Sequence, residues 1–297
     1  MVLQTIKNII PSPLMEALRR RKRKRQLQRI KALPAITEEQ FLDLLTATLG
    51  VKVGSLVMIH SSIGDLNLAF SPMRVVPLLK QAVGDDGTLL FLCTTKADKE
   101  MDYLDGTHIF NRKRTPTGAG LISELARRTS GAARSLHPTK SVCAIGPLAE
   151  ELTSGHEDSP YPFDKTSPYG KFVERDGLVI GLGVTAFNLS IAHCVEDFMK
   201  EEFPVSKYLG EYDAKCIDSD GSIKKVRTLA SNPAIWAGKT VMPFFDTHID
   251  ESILHHHIVS GQNFFSCHAA PLIERMTSLA KEGKTIYPAQ ENKESQA

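Results

Sequence analysis

The sequence predicts an α/β protein, a three-layer α/β/α sandwich with a small antiparallel β addition in its C-terminal part. Two observations lead to this prediction. First, short unbroken apolar runs alternate with helical segments over the first two thirds of the chain, and strands of this kind are buried on both faces of a sheet. Second, residues 212–217 and 223–229 flank the turn sequence Asp-Ser-Asp-Gly-Ser at 218–222, which is typical of a β-hairpin.

The predicted helices lie between these apolar runs. The first predicted helix has Thr37 in the N-cap position and Glu38 and Glu39 in its first turn. The sequence Asp-Asp-Gly at 85–87 indicates a turn before the second strand. The predicted strands are 56–59, 88–93, 142–145 and 178–182, and the predicted helices are 37–48, 73–83, a segment from about 118, 147–153 and 188–200.

Composition places the chain among ordinary globular proteins. It has 297 residues, of which 42% are hydrophobic and 24% are charged, enough to bury a substantial core. Apolar runs stay well short of the roughly 18 to 20 residues of a membrane helix, and the N-terminus lacks the pattern of a secretory signal. Five cysteines are scattered without C-x-x-C spacing, which favours reduced thiols. We therefore expect a cytoplasmic protein.

Positive charge is concentrated near the N-terminus. Residues 1–31 hold ten Lys or Arg and one acid, Glu16, whereas residues 32–297 hold 26 basic and 33 acidic residues. The basic segment suits peripheral contact with an anionic membrane or contact with nucleic acid, and a solvated helix is the third alternative. The predicted division of the chain is a basic arm at 1–35, a main domain at 36–285 and a flexible tail at 286–297.

A histidine and two serines follow the first predicted strand. His60, Ser61 and Ser62 lie where that strand ends, and ligands of open α/β sheets collect at the carboxyl ends of strands. Small residues at this position let backbone N–H groups approach a phosphate. Serine hydrolysis is a competing interpretation, but the strained G-x-S-x-G elbow of such enzymes is missing.

A second segment combines cations, hydroxyls and glycines before a predicted helix. Residues 112–114 are Arg-Lys-Arg, and Thr115, Thr117 and Gly118 follow them. Positive charge and N–H groups at a helix start suit the pyrophosphate or 3′-phosphate of a nucleotide cofactor. A capped surface helix with basic neighbours is the alternative. The segment is not a Walker A loop, because a Gly-Lys-Ser/Thr end is missing.

His193 and Glu196 form the third candidate site. Residues at i and i+3 of a helix share a face, so the carboxylate can hold the imidazole in one tautomer and raise its basicity. A base of this kind can take a proton from an amine. The histidines at 255–257 are not interpreted as a metal site, because adjacent residues point in different directions and an acid or cysteine partner is not evident. We therefore expect no metal.

Together these segments resemble the aminoglycoside 3-N-acetyltransferase family, which is distinct from the GNAT fold. They occur in the order of the family and cover roughly residues 37–200. The matching pieces are 59–62 (Ile-His-Ser-Ser), 87–90 (Gly-Thr-Leu-Leu), 115–118 (Thr-Pro-Thr-Gly), 134–138 (Arg-Ser-Leu-His-Pro), 141–147 (Ser-Val-Cys-Ala-Ile-Gly-Pro), 167–171 (Ser-Pro-Tyr-Gly-Lys) and 193–196 (His-Cys-Val-Glu).

The resemblance implies acetyl-CoA or another acyl-CoA as co-substrate, with direct transfer of the acyl group to an amine of an amino sugar or aminoglycoside-like substrate. It also implies that His193 is the general base and that Glu196 supports it. The oligomeric state is left open, with a homodimer as one alternative. The residues implied at the coenzyme A site are His60, Ser61, Ser62, Thr115, Thr117 and Gly118.

Two departures from the family bear on the acceptor. Family members that modify aminoglycosides look to carry an acidic stretch on the C-terminal antiparallel part, whereas residues 228–233 read Thr-Leu-Ala-Ser-Asn-Pro. The basic arm is also foreign to the resistance enzymes. We therefore favour an amino sugar over a true aminoglycoside. The competing hypothesis is a non-catalytic binding or scaffold protein that associates with anionic membrane or nucleic acid through its arm.

Overall fold

Two sheets organise the chain, of which the structure, a computed structural model, describes residues 12–96, 99–236 and 240–288. The strands are β1 (Leu56–Ser61), β2 (Thr88–Leu92), β3 (Phe110–Asn111), β4 (Ala133–Arg134), β5 (Val142–Ile145), β6 (Leu178–Leu182), β7 (Tyr208–Ile217), β8 (Ile223–Ser231), β9 (Leu254–Val259) and β10 (Gln262–His268). The central sheet has the order β4-β5-β2-β1-β6-β10-β9 and the smaller sheet the order β3-β7-β8. β1 is parallel to both of its neighbours, whereas β5 and β10 are antiparallel to theirs.

Helices cover both faces of the central sheet, which confirms the predicted three-layer sandwich. Successive residues of a strand point to opposite faces, so Val57 and Ile59 of β1 enter one core and Met58 enters the other. The helices are α1 (Ser12–Lys31), α2 (Glu38–Asp43), α3 (Val75–Val83), α4 (Glu100–Leu104), α5 (Leu121–Arg127), α6 (Ala149–Thr153), α7 (Pro168–Glu174), α8 (Cys194–Met199), α9 (Pro233–Trp236), α10 (Val241–His248) and α11 (Ala269–Lys281). Residues of α2, α3 and α5 belong to the first core, and residues of α6, α7, α8, α10 and α11 to the second.

The C-terminal third contains the predicted hairpin and two strands that were not predicted. β7 and β8 pair as an antiparallel hairpin around residues 218–222, which confirms the small antiparallel addition. β9 and β10 instead extend the central sheet next to β6. β10 packs closely against β6 at Gly181. A Cβ at this glycine would overlap the ring of Phe265 on β10.

The first helix of the domain begins where the sequence predicts it. The Thr37 side chain accepts a hydrogen bond from the N–H of Gln40 at 3.2 Å, and the Gln40 side chain accepts one from the N–H of Thr37 at 3.0 Å. This reciprocal capping box satisfies two N–H groups that the helix itself leaves unpaired. α2 then continues through the π-helical turn Leu44–Thr48, close to the predicted end.

The helix expected from about residue 118 starts later than predicted. α5 begins at Leu121, and Gly120 before it has a φ of +102°. This φ lies in the left-handed region that a helix interior does not contain. The N–H of Gly118 donates to the carbonyl of Thr94 at 2.8 Å, so this glycine joins the loop to the end of β2 rather than to the helix.

The segment predicted as a helix at 188–200 is also divided. It begins with the 3₁₀ turns Ala186–Asn188 and Ser190–His193, and α8 starts only at Cys194. As a result His193 lies directly before α8, and Glu196 lies in the first turn of that helix.

The basic arm is in contact with the main domain. α1 covers most of the described part of the arm, and Gln26 donates from Nε2 to Oδ1 of Asp65 at 2.5 Å. Residues 1–11 lie outside the described residues. None of the helices in the described ranges has the length and apolar character needed to cross a membrane.

The predicted flexible tail at 286–297 begins too early. Ile286 and Tyr287 are buried in the second core, with 3% of each residue exposed. Burial of their apolar surface stabilises these two positions, which the sequence predicts to be flexible. Residues 289–297 lie outside the described residues.

Three histidines are buried in surroundings that favour their neutral form. Burial lowers the pKa of His60 to about 4, and a hydrogen bond that the ring donates to the backbone carbonyl of Asn188 only partly offsets this effect. Burial likewise lowers the pKa of His156 to about 4. The pKa of His137 is well below its ordinary value, first because of burial and then because of the charges of His156 and Lys140.

We expect the free energy of unfolding to fall as the pH falls from about 6.5 to about 4. In this window the unfolded chain takes up protons at these histidines and the folded chain does not. The lowered pKa values of His60 and His156 each correspond to a loss of roughly 3 kcal/mol. Urea unfolding at several pH values measures this free energy of unfolding. The variant His156→Gln, which has no imidazole to protonate, should be less stable at neutral pH but lose less on acidification. An equal loss in the variant and the wild type would contradict the assignment.

Candidate active site

Two cavities lie at the carboxyl ends of β1, β2 and β6. The first, which we call the strand-end cavity, has a volume of about 540 Å³ and is lined by His60, Ser61, Ser62 and Gly118 among others. The second, which we call the histidine cavity, has a volume of about 440 Å³ and is lined by His193. Three residues line both cavities: Thr94, Asn188 and Ser190.

His60 is a buried polar residue of the strand-end cavity. Only 3% of its surface is exposed, and its Nε2 atom has no hydrogen-bond partner within the described part of the chain. Buried polar atoms are nearly always paired, so this atom indicates a place for a ligand group or a water molecule. Because the pKa of His60 is about 4, the ring is neutral near pH 7 and acts as a hydrogen-bonding group rather than a cation.

Glycines are required where the loops around this cavity approach each other. Gly183, after β6, has a φ of +69°, and a Cβ there would lie 2.7 Å from the carbonyl oxygen of Ser62. A Cβ at Gly118 would lie 2.7 Å from the backbone nitrogen of Lys96. Side chains are excluded at both positions, so backbone forms this side of the cavity.

Thr115 and Thr117 do not line the strand-end cavity, although the sequence predicted them near a cofactor. The Thr115 hydroxyl accepts a hydrogen bond from the N–H of Asn111 at 2.7 Å, and the Thr117 hydroxyl accepts one from the N–H of Ala119 at 3.0 Å. Both threonines thus stabilise the loop that carries Gly118.

His193 and Glu196 are in contact in the histidine cavity. Nδ1 of His193 lies 2.9 Å from Oε1 and 3.1 Å from Oε2 of Glu196. The side chains are 10% and 3% exposed. Burial acts to raise the pKa of Glu196, but the charges of His193 and Lys207 and their hydrogen bonds lower it to about 2. Glu196 is therefore an anion near pH 7, and it orients the imidazole through Nδ1.

Tyr287 adds a third group to this pair. Its hydroxyl donates to Oε1 of Glu196 at 2.6 Å and lies 3.4 Å from Nδ1 of His193. Burial and then the charge of Glu196 raise the pKa of Tyr287 far above its ordinary value, so the hydroxyl keeps its proton. A neutral donor at this position favours the ionised form of Glu196.

Lys207 connects Glu196 to a second carboxylate. Its Nζ contacts Oε2 of Glu196 closely and lies 3.4 Å from Oδ1 of Asp197. Burial acts to lower the pKa of Lys207, but the two carboxylates outweigh it and raise the pKa. Asp197 accepts hydrogen bonds from the Tyr208 hydroxyl at 2.5 Å and from the N–H of Phe163 at 2.8 Å. Burial raises the pKa of Asp197 despite these partners, so Glu196 is the better stabilised anion of the two.

Lys207 and Tyr287 were not recognised from the sequence. Lys207 precedes β7, and Tyr287 lies 91 positions beyond Glu196 in the chain. Neither shows a periodic or motif signal that joins it to His193. The signal that was available is local, namely the His-x-x-Glu spacing itself.

Fold and site together define a class of protein. It is an α/β/α sandwich with a buried His–Glu pair in one cavity and a second, backbone-rich cavity that shares part of its lining with the first near the ends of the parallel strands. This arrangement suits transfer of a group between two bound molecules.

The sequence model of the aminoglycoside 3-N-acetyltransferase family matches residues 58–281, well over half of the chain. The chain belongs to this family, which confirms the resemblance found in its motifs. Aminoglycoside N(3)-acetyltransferase III of Acinetobacter baumannii is 32% identical over 161 residues, which are 50% of this chain and 56% of that protein. Aminoglycoside N(3)-acetyltransferase VII of Streptomyces paromomycinus is 30% identical over 176 residues, 54% of this chain and 60% of that protein. The matched part thus spans little more than half the length of these curated relatives.

Solved structures show the same fold. Aminoglycoside acetyltransferase AAC(3)-Xa superposes with a TM-score of 0.70 at 21% identity and covers 90% of this chain and 99% of its own. AAC-IIIb in binary complex with CoASH has a TM-score of 0.70 at 21% identity, covering 86% of this chain and 100% of its own. Sisomicin-bound AAC-VIa has a TM-score of 0.69 at 21% identity, and the superposition covers 85% of this chain and 100% of that chain.

We expect Lys207→Met to destabilise the fold by about 3 kcal/mol, because it leaves Glu196 and Asp197 buried without their shared cation. Urea unfolding at neutral pH measures the change, and the loss should shrink as the pH approaches 4, where protonation relieves the carboxylates. Lys225→Met is the matched control, since Lys225 forms an exposed ion pair with Asp213 and should change stability by less than about 1 kcal/mol. Equal effects of the two variants would contradict the importance of the buried network.

Proposed function

We propose that this protein is an acyl-CoA-dependent N-acyltransferase. In this proposal an acetyl or related acyl group passes from coenzyme A to an amine of an amino sugar or aminoglycoside-like acceptor, and His193 is the general base. The observation that carries the proposal is that the two cavities share part of their lining. The cavity that holds the His193–Glu196 pair shares three lining residues with the strand-end cavity, so donor and acceptor can meet in one site.

The strand-end cavity has properties that suit the donor. Its volume of about 540 Å³ is in the range of small-molecule sites, and the unpaired Nε2 of His60 offers a hydrogen bond to a bound group. In this proposal His60, Ser61, Ser62 and Gly118 border coenzyme A, while Thr115 and Thr117 support the loop. Acyl-CoA would supply the thioester carbonyl. The binary structure of AAC-IIIb with CoASH, which has the same fold, supports this choice.

His193 is suited to remove a proton from the acceptor amine. Because Nδ1 shares its proton with Glu196, the basic lone pair of the ring is on Nε2. When the ring takes up a proton, the ionised Glu196 stabilises the imidazolium. Tyr287 and Lys207 contribute through Glu196, since both keep this carboxylate in place and ionised.

The lining of the histidine cavity favours an acceptor with little positive charge. Among the described lining residues the one carboxylate is Glu100, and it is paired with Nζ of Lys140 at 2.6 Å. Ser231 and Pro233, from the uncharged stretch 228–233, also line this cavity. Apolar side chains make up most of the remaining lining: Met101, Phe163, Phe187, Leu189, Ala192, Leu209, Val241 and Ile286. In this proposal the acceptor is therefore an amino sugar that carries few amines and an apolar part.

The scaffold hypothesis is not favoured. A protein that only anchors through its arm has no need of a buried His–Glu pair at the junction of two cavities. Membership in a family of N-acetyltransferases also supports the enzymatic proposal.

We expect His193→Ala to lower turnover by about 10² to 10⁴ while coenzyme A binding persists. Release of free thiol from acetyl-CoA in the presence of amino sugars measures turnover, and ligand-induced thermal stabilisation measures binding. At about 100 times its dissociation constant a ligand adds roughly 2.7 kcal/mol of stability. His268→Ala is the control, since this histidine is exposed on β10 and lines neither cavity. Unchanged turnover in His193→Ala would rule out His193 as the general base.

We expect Leu209→Asp to increase kcat/KM for an aminoglycoside relative to a monoamine sugar by about fivefold. Leu209 lines the histidine cavity and is 55% exposed, so a carboxylate there attracts a polycation with an effect of roughly 1 kcal/mol. Ile223→Asp introduces the same charge at a 71% exposed position outside this cavity and should leave the ratio unchanged. If wild type already prefers the aminoglycoside and Leu209→Asp has no effect, the proposed acceptor class is wrong.

A further inference from the structure

The strand-end cavity is lined on one side by the basic helix. Arg23 of α1 is part of its lining, together with Ser61, Ser62 and Gly64. Among the described residues that line this cavity, Arg23 is the only lysine or arginine. The remaining lining consists of hydroxyl, amide, glycine and apolar residues and the neutral ring of His60.

Arg23 is positioned by contacts with the loop after β1. Its Nη1 lies 3.4 Å from Oδ1 of Asp65, and the Ser62 hydroxyl donates to Oδ2 of the same carboxylate at 2.5 Å. Gln26, one turn further along α1, also donates to Asp65. The guanidinium lies directly over Gly64, where a Cβ would overlap its Nη2 atom. The Arg23 side chain is still 50% exposed, so it can accept a ligand without leaving these contacts.

The cations that the sequence suggested for this role lie outside the lining of the strand-end cavity. Arg112 forms an ion pair with Asp218 at 3.0 Å and donates to the carbonyl of Arg134. Neither it nor its neighbours at 113 and 114 line the strand-end cavity. A polyanionic ligand in this cavity therefore meets the positive charge of α1 rather than that of the loop at 112–114.

We propose that Arg23 binds a phosphate group of the coenzyme A part of the donor, so that α1 completes the donor site. This inference rests on the proposed function. Coenzyme A carries a pyrophosphate and a 3′-phosphate, and a guanidinium is suited to bind a phosphate through two parallel hydrogen bonds. α1 strengthens the attraction, because it contains nine Lys or Arg and one acid. The helix lies before residue 58, where the match to the family model begins, so that match does not include Arg23.

The test compares coenzyme A, 3′-dephospho-coenzyme A and pantetheine by isothermal titration calorimetry of the full chain. We expect Arg23→Gln to raise Kd for coenzyme A about tenfold, as loss of a hydrogen bond to a charged group predicts, and to leave Kd for pantetheine unchanged. Arg29→Gln is the matched control. It removes the same charge from the same helix at a residue outside the strand-end cavity, and we expect less than a twofold change.

The dephosphorylated ligand identifies the phosphate. If the Arg23→Gln effect disappears with 3′-dephospho-coenzyme A, Arg23 binds the 3′-phosphate; if it persists, Arg23 binds the pyrophosphate. Both outcomes support the inference. Equal Kd values for Arg23→Gln and Arg29→Gln, in a protein that does bind coenzyme A, would overturn it and leave the proposed function intact. An equal loss of affinity for pantetheine in Arg23→Gln would also overturn the inference. A wild-type chain that binds none of the three ligands would instead refute the proposed function.

Discussion

The site depends on one ammonium group buried between two carboxylates. Lys207 contacts Glu196 and Asp197 at a depth where none of the three charges is stable alone. The two acids are neighbours on α8, whereas the lysine precedes β7, so their attraction holds the small sheet against the helix. Asp197 extends the network to the backbone of Phe163. A buried charge of this kind specifies one arrangement, because every displacement would leave an ion unpaired.

This network determines what His193 can do. Glu196 is held in place on one side by Lys207 and on the other by the Tyr287 hydroxyl, and its pKa of about 2 keeps it ionised. The carboxylate in turn holds Nδ1 of the imidazole. The histidine is therefore oriented at the wall of its cavity by groups from three separate parts of the chain. Such support suits the general-base role proposed for His193, since geometry must be set before a proton can move.

The two cavities differ in character, and the difference follows from the elements that build them. The strand-end cavity is formed by backbone at strand ends, by small residues such as Gly118, and by one cation from α1. The histidine cavity lies against the small sheet and is lined largely by apolar side chains. The proposed function assigns a phosphorylated donor to the first cavity and an acceptor of low charge to the second. The shared residues Thr94, Asn188 and Ser190 are the place where the two would meet.

Periodicity determined the layered α/β/α fold, and local spacing determined the His193–Glu196 pair, because both depend on residues a few positions apart. Sequence reasoning also located His60 and the loop before α5, but it assigned Thr115 and Thr117 to a cavity that they support rather than line. Only the tertiary structure decided that Lys207, Tyr287 and Arg23 belong to the site. Their partners are distant in the chain, and burial and electrostatic pairing between distant segments follow from packing, which leaves no repeating pattern in the sequence.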